Sequence, residues 1–514
     1  MRRNAVGVLI LGGLLGLFAC TSPHPAPAPA AAPPGAVKST LISGAQVADG
    51  TGAPLFAADV RIEGDAISAV EKAGTLAPHP GERRIDGKGL VLAPGFIDPH
   101  NHSTGGVKRD PAAETQVSQG ITTLVLGPDG DSPWPIGEYL EARRQNPAAV
   151  NLMTMVGHAT VRSLVLGNDY KREATPEEAA KMAALVDQGM KEGALGVSSG
   201  LEYDVGSYGS TDELVALCKA SAPYGGFYMT HVRDEADKAF EAFAEAIAIT
   251  ERAGVPLQIS HIKLATVGVW HRAAEAVALI DRARAKGDDI TADCYPYEAW
   301  HSDLYTLVPN KQYFDRESVE RGLHDVGGPA NITVTACEAH PSYAGRNLEQ
   351  IAAAEGVSAV DLFMKIIKDG GADVIGHTML EEDELIFYRQ PWVMVGSDGG
   401  IGSDHPRGAG TYPRVLGRFV REKKVLPLEE AIRKMTSLPA RRLGLTDRGR
   451  IATGLKADLV LFDPATVIDR STFEEPRKLA EGIVWVAVNG QAVWEEGKPT
   501  GAHPGRVLAG KGAR

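Results

Sequence analysis

Two histidines separated by one residue, His100 and His102, are the first side chains whose types and spacing suggest chemistry. They end a short extended segment that follows the apolar run 90–93 and the turn Pro94-Gly95. Alternate side chains of a strand share a face, so the two imidazoles point the same way. Two such imidazoles can bind one divalent metal ion from one side. Two surface-loop histidines are the simpler alternative, but further histidines in similar positions favour the metal.

Polar side chains follow five further predicted strands at the points where these strands end. The carboxyl ends of parallel strands meet at one face of a barrel, where catalytic groups concentrate. A lone histidine at a strand end is more often structural, but coincidence over six strand ends predicts one shared site. Besides the first two histidines, the residues are Asp129, Glu202, His231, His261 and Asp398.

The elements that must position these residues alternate between helix and strand. Thr175-Pro-Glu-Glu predicts a helix start, because Thr caps the first turn and Pro fits it. Apolar residues recur at helical spacing up to Gly193, and residues 194–198 form the next predicted strand. The same cycle repeats up to residue 293. Such alternation predicts parallel βαβ units, and enough units fit between residues 94 and 440 for a closed (β/α)8 barrel.

Segments outside this rhythm complete the predicted architecture. Residues 38–93 and 443–514 contain short strand-like runs with Gly, Asp and Pro turns, so we expect one small β-sandwich domain formed by both chain ends. The barrel domain then spans residues 94–442, with an insertion near 299–376 that covers the site. A doubly wound open sheet is the structural alternative, but no Gly-rich phosphate turn supports it.

Composition and charge restrict the class of partner. The chain is 44% hydrophobic and 23% charged, as in ordinary globular proteins, and its formal net charge is −12. A negative balance of this size argues against nucleic acid or an anionic membrane surface as partner.

The N-terminus predicts export. Two arginines precede the apolar run 6–18, which is too short for a comfortable membrane span. Residues 1–19 resemble a lipoprotein signal peptide, with lipid attached to Cys20, and the Pro/Ala-rich residues 20–37 form a tether. Phe18 is bulkier than usual before the cleavage site, so simple secretion is the alternative. We therefore expect a chain anchored at the bacterial cell envelope and facing the periplasm.

Together these motifs resemble the amidohydrolase superfamily and, within it, the D-aminoacylase family of N-acyl-D-amino-acid deacylases. The resemblance runs from about residue 40 onward. Its motifs are Pro94-Gly-Phe-Ile-Asp-x-His-x-His, Thr230-His231, Ser260-His261-x-Lys263, Tyr295-Pro-Tyr297, Gly396-Ser-Asp398-Gly and His405-Pro-Arg407 with Gly410-Thr-Tyr-Pro-Arg414. It implies a metal-dependent hydrolase barrel flanked by a β-sandwich, one or two Zn²⁺ ions and an N-acyl amino acid substrate.

One position departs from the family pattern. D-aminoacylases carry a bridging cysteine where this chain has Asp129, and no lysine stands near Glu202 to take its place. Two neighbouring dications need an anionic bridge to offset their repulsion. We expect Glu202 to be this bridge, with Asp129 as the alternative; if neither bridges, the site is mononuclear.

The resemblance also implies roles for the remaining site residues. His231 and His261 would bind the tighter zinc, and His100 with His102 a second or weaker one. Asp398 would be general base and then general acid. Further candidates are an oxyanion donor, Tyr295 or Tyr297; two clamps for the substrate carboxylate, Lys263 and Arg414; and a pocket-lining residue, His405.

The predicted function is zinc-dependent hydrolysis of a linear amide, most simply deacylation of N-acyl-D-amino acids. A related hydrolase of dipeptides or cyclic amides, such as hydantoins or dihydroorotate, is one alternative. A non-catalytic binding lipoprotein is another, although the complete set of histidines with Asp398 argues against it. Sequence alone does not indicate the oligomeric state.

Overall fold

The computed structural model describes residues 39–513, so the predicted signal peptide, Cys20 and most of the tether lie outside the described residues. The strands of this part are β1 Ser39–Val47, β2 Phe56–Glu63, β3 Ala66–Lys72, β4 Arg83–Asp86, β5 Val91–Pro94, β6 Phe96–Asp98, β7 Ile121–Leu126, β8 Asn151–Thr154, β9 Val156–Gly157, β10 Gly196–Gly200, β11 Phe227–His231, β12 Leu257–Ile259, β13 Ile290–Cys294, β14 Trp300–Asp303, β15 Ile332–Ala336, β16 Asp373–Gly376, β17 Val393–Val395, β18 Leu459–Phe462, β19 Ile483–Val488, β20 Gln491–Glu495 and β21 Lys498–Pro499.

The α-helices of the same part lie between and after these strands. They are α1 Gly106–Arg109, α2 Glu114–Val117, α3 Ile136–Gln145, α4 His158–Leu166, α5 Pro176–Glu192, α6 Thr211–Ser221, α7 Ala239–Ala253, α8 Ala273–Ala285, α9 Arg316–Asp325, α10 Leu348–Glu355, α11 Ala359–Lys368, α12 Glu381–Tyr388, α13 Arg407–Arg414, α14 Leu428–Met435 and α15 Ser437–Arg442. A π-helix, Val415–Glu422, continues α13.

Parallel strands form the barrel that the helix–strand alternation predicts. Strands β6, β7 and β8 pair in this order, and β9 to β13 with β17 form the second part. Only one residue separates β8 from β9, so they are two parts of one strand and the barrel has eight positions. The ring closes where Asp398 N donates to His100 O at 3.0 Å and His102 N donates to Gly399 O at 2.7 Å. The (β/α)8 prediction is confirmed, and the open-sheet alternative is wrong because the outer strands meet.

Local sequence explains the helix that precedes β10. Thr175 and Glu178 form a reciprocal capping box, and Pro176 occupies the first turn of α5. Gly193 ends α5 with φ = 114°, a conformation that a side chain would strain. The turn delivers the chain directly into β10, whose carboxyl end faces the site.

A second sheet draws on both ends of the described chain. Its strand order is β21-β20-β19-β18-β5-β1-β2-β3, and β4 pairs with β1. Alternating side chains of these strands bury a separate core that includes Val60, Leu92, Leu459 and Trp485. Both chain ends thus form one β unit beside the barrel, as the fold prediction requires.

Residues 300–376 form a covering subdomain between β13 and β17. Strands β14, β16 and β15 make an antiparallel sheet, and α9, α10 and α11 pack with it around a separate core. This core includes Leu304, Val319, Phe363 and Val374. The break in the helix–strand rhythm therefore corresponds to an independently packed insertion.

Residues 505–510 lie against the amino ends of two barrel strands. Leu152 N donates to Arg506 O, and Leu508 N donates to Leu152 O, both at 2.9 Å. Gly510 N donates to Gly193 O at 2.9 Å, just before β10. Leu508 packs against the apolar residues that fill this end of the barrel. A late segment of the chain thus covers the end opposite the site.

Three cysteines of the described residues, Cys218, Cys294 and Cys337, are buried free thiols. Within residues 39–513, no helix has both the length and the apolar character needed to cross a bilayer.

Candidate metal centre and active site

Six of the predicted site residues converge at the carboxyl ends of the barrel strands. The side chains of His100, His261 and Asp398 lie within metal-ligand distance of one another together with Asp129, and His231 adjoins His261. His102 lies against Asp129 and Asp398. All of these side chains except that of His102 are at least nine-tenths buried. The structure therefore brings together the histidines that the strand-end argument predicted.

Three residues of this cluster have an unusual backbone conformation. Asp129, His261 and Asp398 have φ values of 51°, 31° and 48°, in the left-handed region that non-glycine residues rarely adopt. Such conformations cost of order 1–3 kcal/mol each and concentrate at functional sites. Here they turn the side chains at the ends of their strands toward one point.

Asp129 occupies the centre of the cluster. Its Oδ2 lies 3.2 Å from His100 Nε2, 3.3 Å from His102 Nε2 and 3.6 Å from His261 Nε2. Its Oδ1 is buried and has no hydrogen-bond partner among the described residues. Burial would raise the pKa of Asp129, but His100 and His261 hold this pKa well below its ordinary value. The carboxylate is therefore an anion surrounded by three imidazoles.

The geometry fits a zinc site. Ligands at about 2.0–2.2 Å from a tetrahedral zinc ion lie about 3.3–3.6 Å from one another. The distances from Asp129 Oδ2 to three imidazole nitrogens fall within or close to this range, and His231 Nδ1 lies 3.0 Å from His261 Nε2. Imidazole and carboxylate donors suit zinc, and the orphaned carboxylate oxygen offers a further ligand atom.

Glu202 does not occupy the bridging position that we expected. Its Oε2 lies 2.8 Å from His231 Nε2, whereas His231 Nδ1 faces His261. Glu202 stands in the loop beyond β10. It therefore contacts the edge of the His231 imidazole that points away from the other histidines. The geometry instead favours the alternative bridge, Asp129.

Asp398 contacts both the histidines and a buried arginine. Its Oδ1 lies 3.1 Å from His102 Nε2, and its Oδ2 lies 2.7 Å from Arg407 Nη1. Burial opposes ionisation, but Arg407 and the neighbouring histidines hold the pKa of Asp398 well below its ordinary value. An ionised carboxylate at this place can accept a proton from a water molecule in the cluster.

Arg407, which our sequence analysis quoted only within a motif, offers an anion-binding group. The side chain is buried, and its Nε and Nη1 atoms make no hydrogen bond within the described part of the chain. The approach to Asp398 is an ion pair by distance, but its angles do not satisfy a hydrogen bond. A planar guanidinium with free donors suits a substrate carboxylate.

Lys263 has a different role from the one predicted. Its Nζ lies 2.7 Å from both carboxylate oxygens of Glu235 and 2.6 Å from His261 Nδ1. Two of the three ammonium donors reach Glu235, whose Oε1 also lies 3.1 Å from His261 Nδ1. Lys263 lines the cavity as the partner of Glu235 rather than as an unpaired charge. The sequence analysis did not single out Glu235.

The other four predicted residues form a layer behind Arg407 instead of contacting the cluster. Tyr295 Oη points to Met379 Sδ at 3.7 Å, and Tyr297 Oη donates to Pro406 O at 3.4 Å. His405 bonds the backbone at Ala299 O and Arg407 N, and Arg414 binds Pro296 O and Asp469. Tyr297, His405 and Arg414 thus fix the segment that carries Arg407, and the Tyr295 ring lies 4.7 Å from its guanidinium.

Tyr203 is the hydroxyl that the structure places at the cluster. Its Oη lies 3.2 Å from His231 Nδ1, and the side chain lines the cavities on both sides of the site. The sequence analysis did not single out Tyr203, since nothing in a strand-end pattern distinguishes it. It replaces Tyr295 as the candidate oxyanion donor.

A buried ion pair holds the loop that carries Glu202 and Tyr203. Arg162 in α4 contacts Glu213 in α6 and donates to the carbonyl oxygen of Tyr208 at 3.2 Å. Glu213 also lies 2.7 Å from His158 Nε2. Burial alone would raise the pKa of Glu213, but His158 and Arg162 hold it below its ordinary value. The network therefore contributes stability that is lost as pH falls through this lowered pKa.

We expect Arg162→Ala to lower the free energy of unfolding by about 3–5 kcal/mol, because the buried Glu213 would lose its guanidinium partner and keep only His158. Urea unfolding followed by circular dichroism measures this change. Arg172→Ala is the matched control, because its ion pairs with Asp169 and Glu178 lie at the protein surface and should contribute little to stability. Equal effects of the two substitutions would contradict the proposed role of Arg162.

Barrel, strand-end histidines and a central carboxylate together define a metal-dependent hydrolase. A model described as the amidohydrolase family matches residues 83–299 and 312–494. The chain belongs to this family, as the resemblance of its motifs predicted.

Three similar proteins place the chain more narrowly. The D-aminoacylase of Alcaligenes xylosoxydans xylosoxydans is 38% identical over 91% of this chain and 97% of that protein. The N-acyl-D-glutamate deacylase of the same organism is 35% identical over 91% of this chain and 96% of its own length. The crystal structure of N-acyl-D-glutamate deacylase from Bordetella bronchiseptica, complexed with zinc and a phosphonate mimic of the tetrahedral intermediate, is 33% identical. It superposes with a TM-score of 0.82 and covers 91% of this chain and 99% of its own.

Proposed function

We propose that the protein is a zinc-dependent hydrolase that removes the acyl group from N-acyl-D-amino acids. The observation that carries this proposal is the pairing of two groups. Asp129 lies among the imidazoles, and Arg407, with unused donors, lies beside Asp398. The first is a metal-binding cluster and the second binds a carboxylate, which every N-acyl amino acid carries. The similarity to deacylases that act on D-amino acid derivatives supports the substrate class.

The residues present would divide the reaction as follows. His100, His102, His231, His261 and Asp129 would hold the metal. A bound zinc would supply an activated water near neutral pH and polarise the amide carbonyl. Asp398 takes the proton of the attacking water and delivers it to the departing amine nitrogen. Tyr203 donates to the oxygen on which negative charge develops, and Arg407 fixes the α-carboxylate.

Arg407→Lys tests the carboxylate clamp. We expect kcat/KM to fall about 10–100-fold, mainly through a higher KM, because an ammonium cannot reproduce the two-pronged hydrogen bonding of a guanidinium. Steady-state kinetics with N-acetyl-D-leucine and with its α-carboxamide provide the measurement. The substitution should hardly change kcat/KM for the carboxamide. An equal loss of kcat/KM with both substrates would show that Arg407 does not bind the carboxylate.

A substrate panel tests the reaction itself. The zinc-loaded protein should hydrolyse N-acetyl-D-amino acids faster than N-acetyl-L-amino acids, D,L-dipeptides, hydantoins and dihydroorotate. Turnover of a cyclic amide only would replace the deacylase proposal with a cyclic amidohydrolase. Bound metal without turnover of any amide would favour a binding protein.

We further propose that the chain is exported and held at the bacterial cell envelope by lipid on Cys20. Arg2, Arg3, the apolar residues 6–18 and the following Pro/Ala-rich stretch support this proposal. Growth with a labelled fatty acid should label the wild-type protein and leave Cys20→Ser unlabelled. Absence of label from the wild type would argue against the lipid anchor.

A further inference from the structure

Two cavities open on the metal cluster, and they differ in their walls. The first cavity runs from His231 and His261 to the covering subdomain, where Leu307, Pro309 and Val326 contribute to its wall. The second cavity lies on the other side of Asp398, and residues 399–403, His102, Asp129 and Asp204 contribute to its lining. Of the two, only the first cavity is lined by apolar side chains of the covering subdomain.

Both cavities share Arg407 and Asp398. An α-carboxylate bound to Arg407 would place the Cα of the amino acid near the junction of the two cavities. The acyl group and the side chain could then enter different cavities. Between the acyl group and the amino-acid side chain, the side chain varies more in size and polarity. The apolar wall of the first cavity suits this side chain.

Basic groups within the first cavity already have acidic partners. Lys263 is paired with Glu235, and Arg407 faces Asp398. His301 also lines the cavity, but burial and the nearby Arg407 lower its pKa to about 4, so it is neutral near pH 7. Once Arg407 holds the α-carboxylate, the described lining of this cavity offers an acidic side chain no cation that lacks an acidic partner.

Asp325, at the end of α9, is an acidic residue of the cavity without a strong basic partner among the described residues. It lines the first cavity, and its side chain is 25% exposed. Its Oδ1 lies 3.2 Å from Nδ1 of His324. His324 is 79% exposed, so it compensates the carboxylate weakly. Asp325 thus contributes a negative charge at the wall that the covering subdomain supplies.

Beyond Asp325 the first cavity continues into an outer groove with the same sign of charge. The two share Glu202, Ala236, Pro309, Gly322 and Asp325. Two bases of the groove are paired, Arg233 with Glu245 and Lys311 with Asp204. Its carboxylates outnumber its bases: Glu202, Asp234, Asp237, Glu241, Glu245 and Asp325 against Arg233, Lys238, Lys311 and Arg321.

We propose that the first cavity receives the side chain of the D-amino acid and that Asp325 directs the enzyme toward apolar and cationic side chains and against acidic ones. This inference rests on the proposed deacylase function. An acidic side chain would meet a carboxylate of like charge, whereas an ammonium or guanidinium would approach one of opposite charge. Apolar side chains would contact the wall formed by Leu307, Pro309 and Val326.

The test compares kcat/KM for N-acetyl-D-leucine, N-acetyl-D-lysine and N-acetyl-D-glutamate. For the wild type we expect both leucine and lysine derivatives to exceed the glutamate derivative by at least about tenfold. Asp325→Asn should lower the lysine-to-leucine ratio several-fold, and Asp325→Arg should raise the glutamate-to-leucine ratio by about tenfold or more. Glu320→Gln is the matched control, since it removes an exposed carboxylate of the same helix outside the cavity.

The outcomes separate this inference from the function on which it rests. Turnover of the leucine derivative with side-chain ratios that Asp325 variants leave unchanged would overturn the inference alone. Asp325 variants could instead change kcat/KM for N-succinyl-D-leucine, whose acyl group is charged. That result would assign the first cavity to the acyl group and would also overturn the inference. Failure to hydrolyse any of the derivatives, with metal bound, would overturn the proposed function and the inference together.

Discussion

Asp398→Asn should abolish nearly all turnover while leaving the metal content unchanged. The amide keeps the size of the side chain and an oxygen ligand, but it cannot take the proton of the attacking water. General acid–base catalysis contributes about 10²–10⁴-fold, and Asp398 acts in both directions, so we expect a loss of kcat of at least about 10³-fold. Steady-state kinetics with N-acetyl-D-leucine and elemental analysis of the same sample measure the two quantities.

The arginine neighbour makes this result diagnostic. Arg407 Nη1 lies 2.7 Å from Asp398 Oδ2, so removal of the carboxylate charge frees the guanidinium for the substrate. KM should therefore stay the same or fall while kcat collapses. Glu384→Gln, in the buried start of α12 away from the cluster, controls for the exchange of a buried acidic side chain for its amide. Wild-type kcat in Asp398→Asn would remove this residue from proton transfer.

Asp129→Asn should release metal and lose activity, whereas Glu202→Gln should retain both. Asp129 Oδ2 lies within 3.6 Å of three imidazole nitrogens, but Glu202 reaches only the outer edge of His231. A neutral amide neither offsets the charge of a dication nor bridges two of them. Metal per chain, measured by elemental analysis after dialysis, should fall by at least one ion in Asp129→Asn alone.

The pair of variants also decides the number of metal ions. Two ions in the wild type and in Glu202→Gln, with one or fewer in Asp129→Asn, would establish a carboxylate-bridged binuclear centre. One ion in the wild type would assign a mononuclear site with Asp129 as a direct ligand. Loss of metal in Glu202→Gln with full retention in Asp129→Asn would contradict the geometry described above.

Strand-end position was a good predictor of which residues meet. His100, His231, His261 and Asp398 follow strands of a parallel barrel, and the topology brings such positions together whatever the intervening sequence. The direction of each side chain was not predictable in the same way. Glu202 and Asp129 both follow strands, but φ = 51° at Asp129 turns its carboxylate inward, and no strand pattern records that conformation.

Residues beyond the strand ends were the least predictable. Lys263 and Arg407 are both basic residues within site motifs. Lys263 is paired with Glu235, whereas Arg407 keeps two nitrogen atoms without a hydrogen bond among the described residues. The difference depends on partners that are distant in sequence, such as Asp398 for Arg407. Tyr295 and Tyr203 differ likewise, because the turn after β13 directs Tyr295 toward Met379. Motif position alone cannot distinguish a lining side chain from one that supports it.

Pairing between early and late segments has a consequence for biosynthesis. Strand β5 pairs with β18, and the backbone of Leu152 bonds residues 506 and 508. While a ribosome makes the intervening residues, the barrel lacks the segment that covers one end, and the second sheet lacks its later strands. Contacts so distant in sequence make folding slow and leave apolar surface exposed meanwhile. The nascent chain should therefore bind holdase chaperones until residue 510 has emerged.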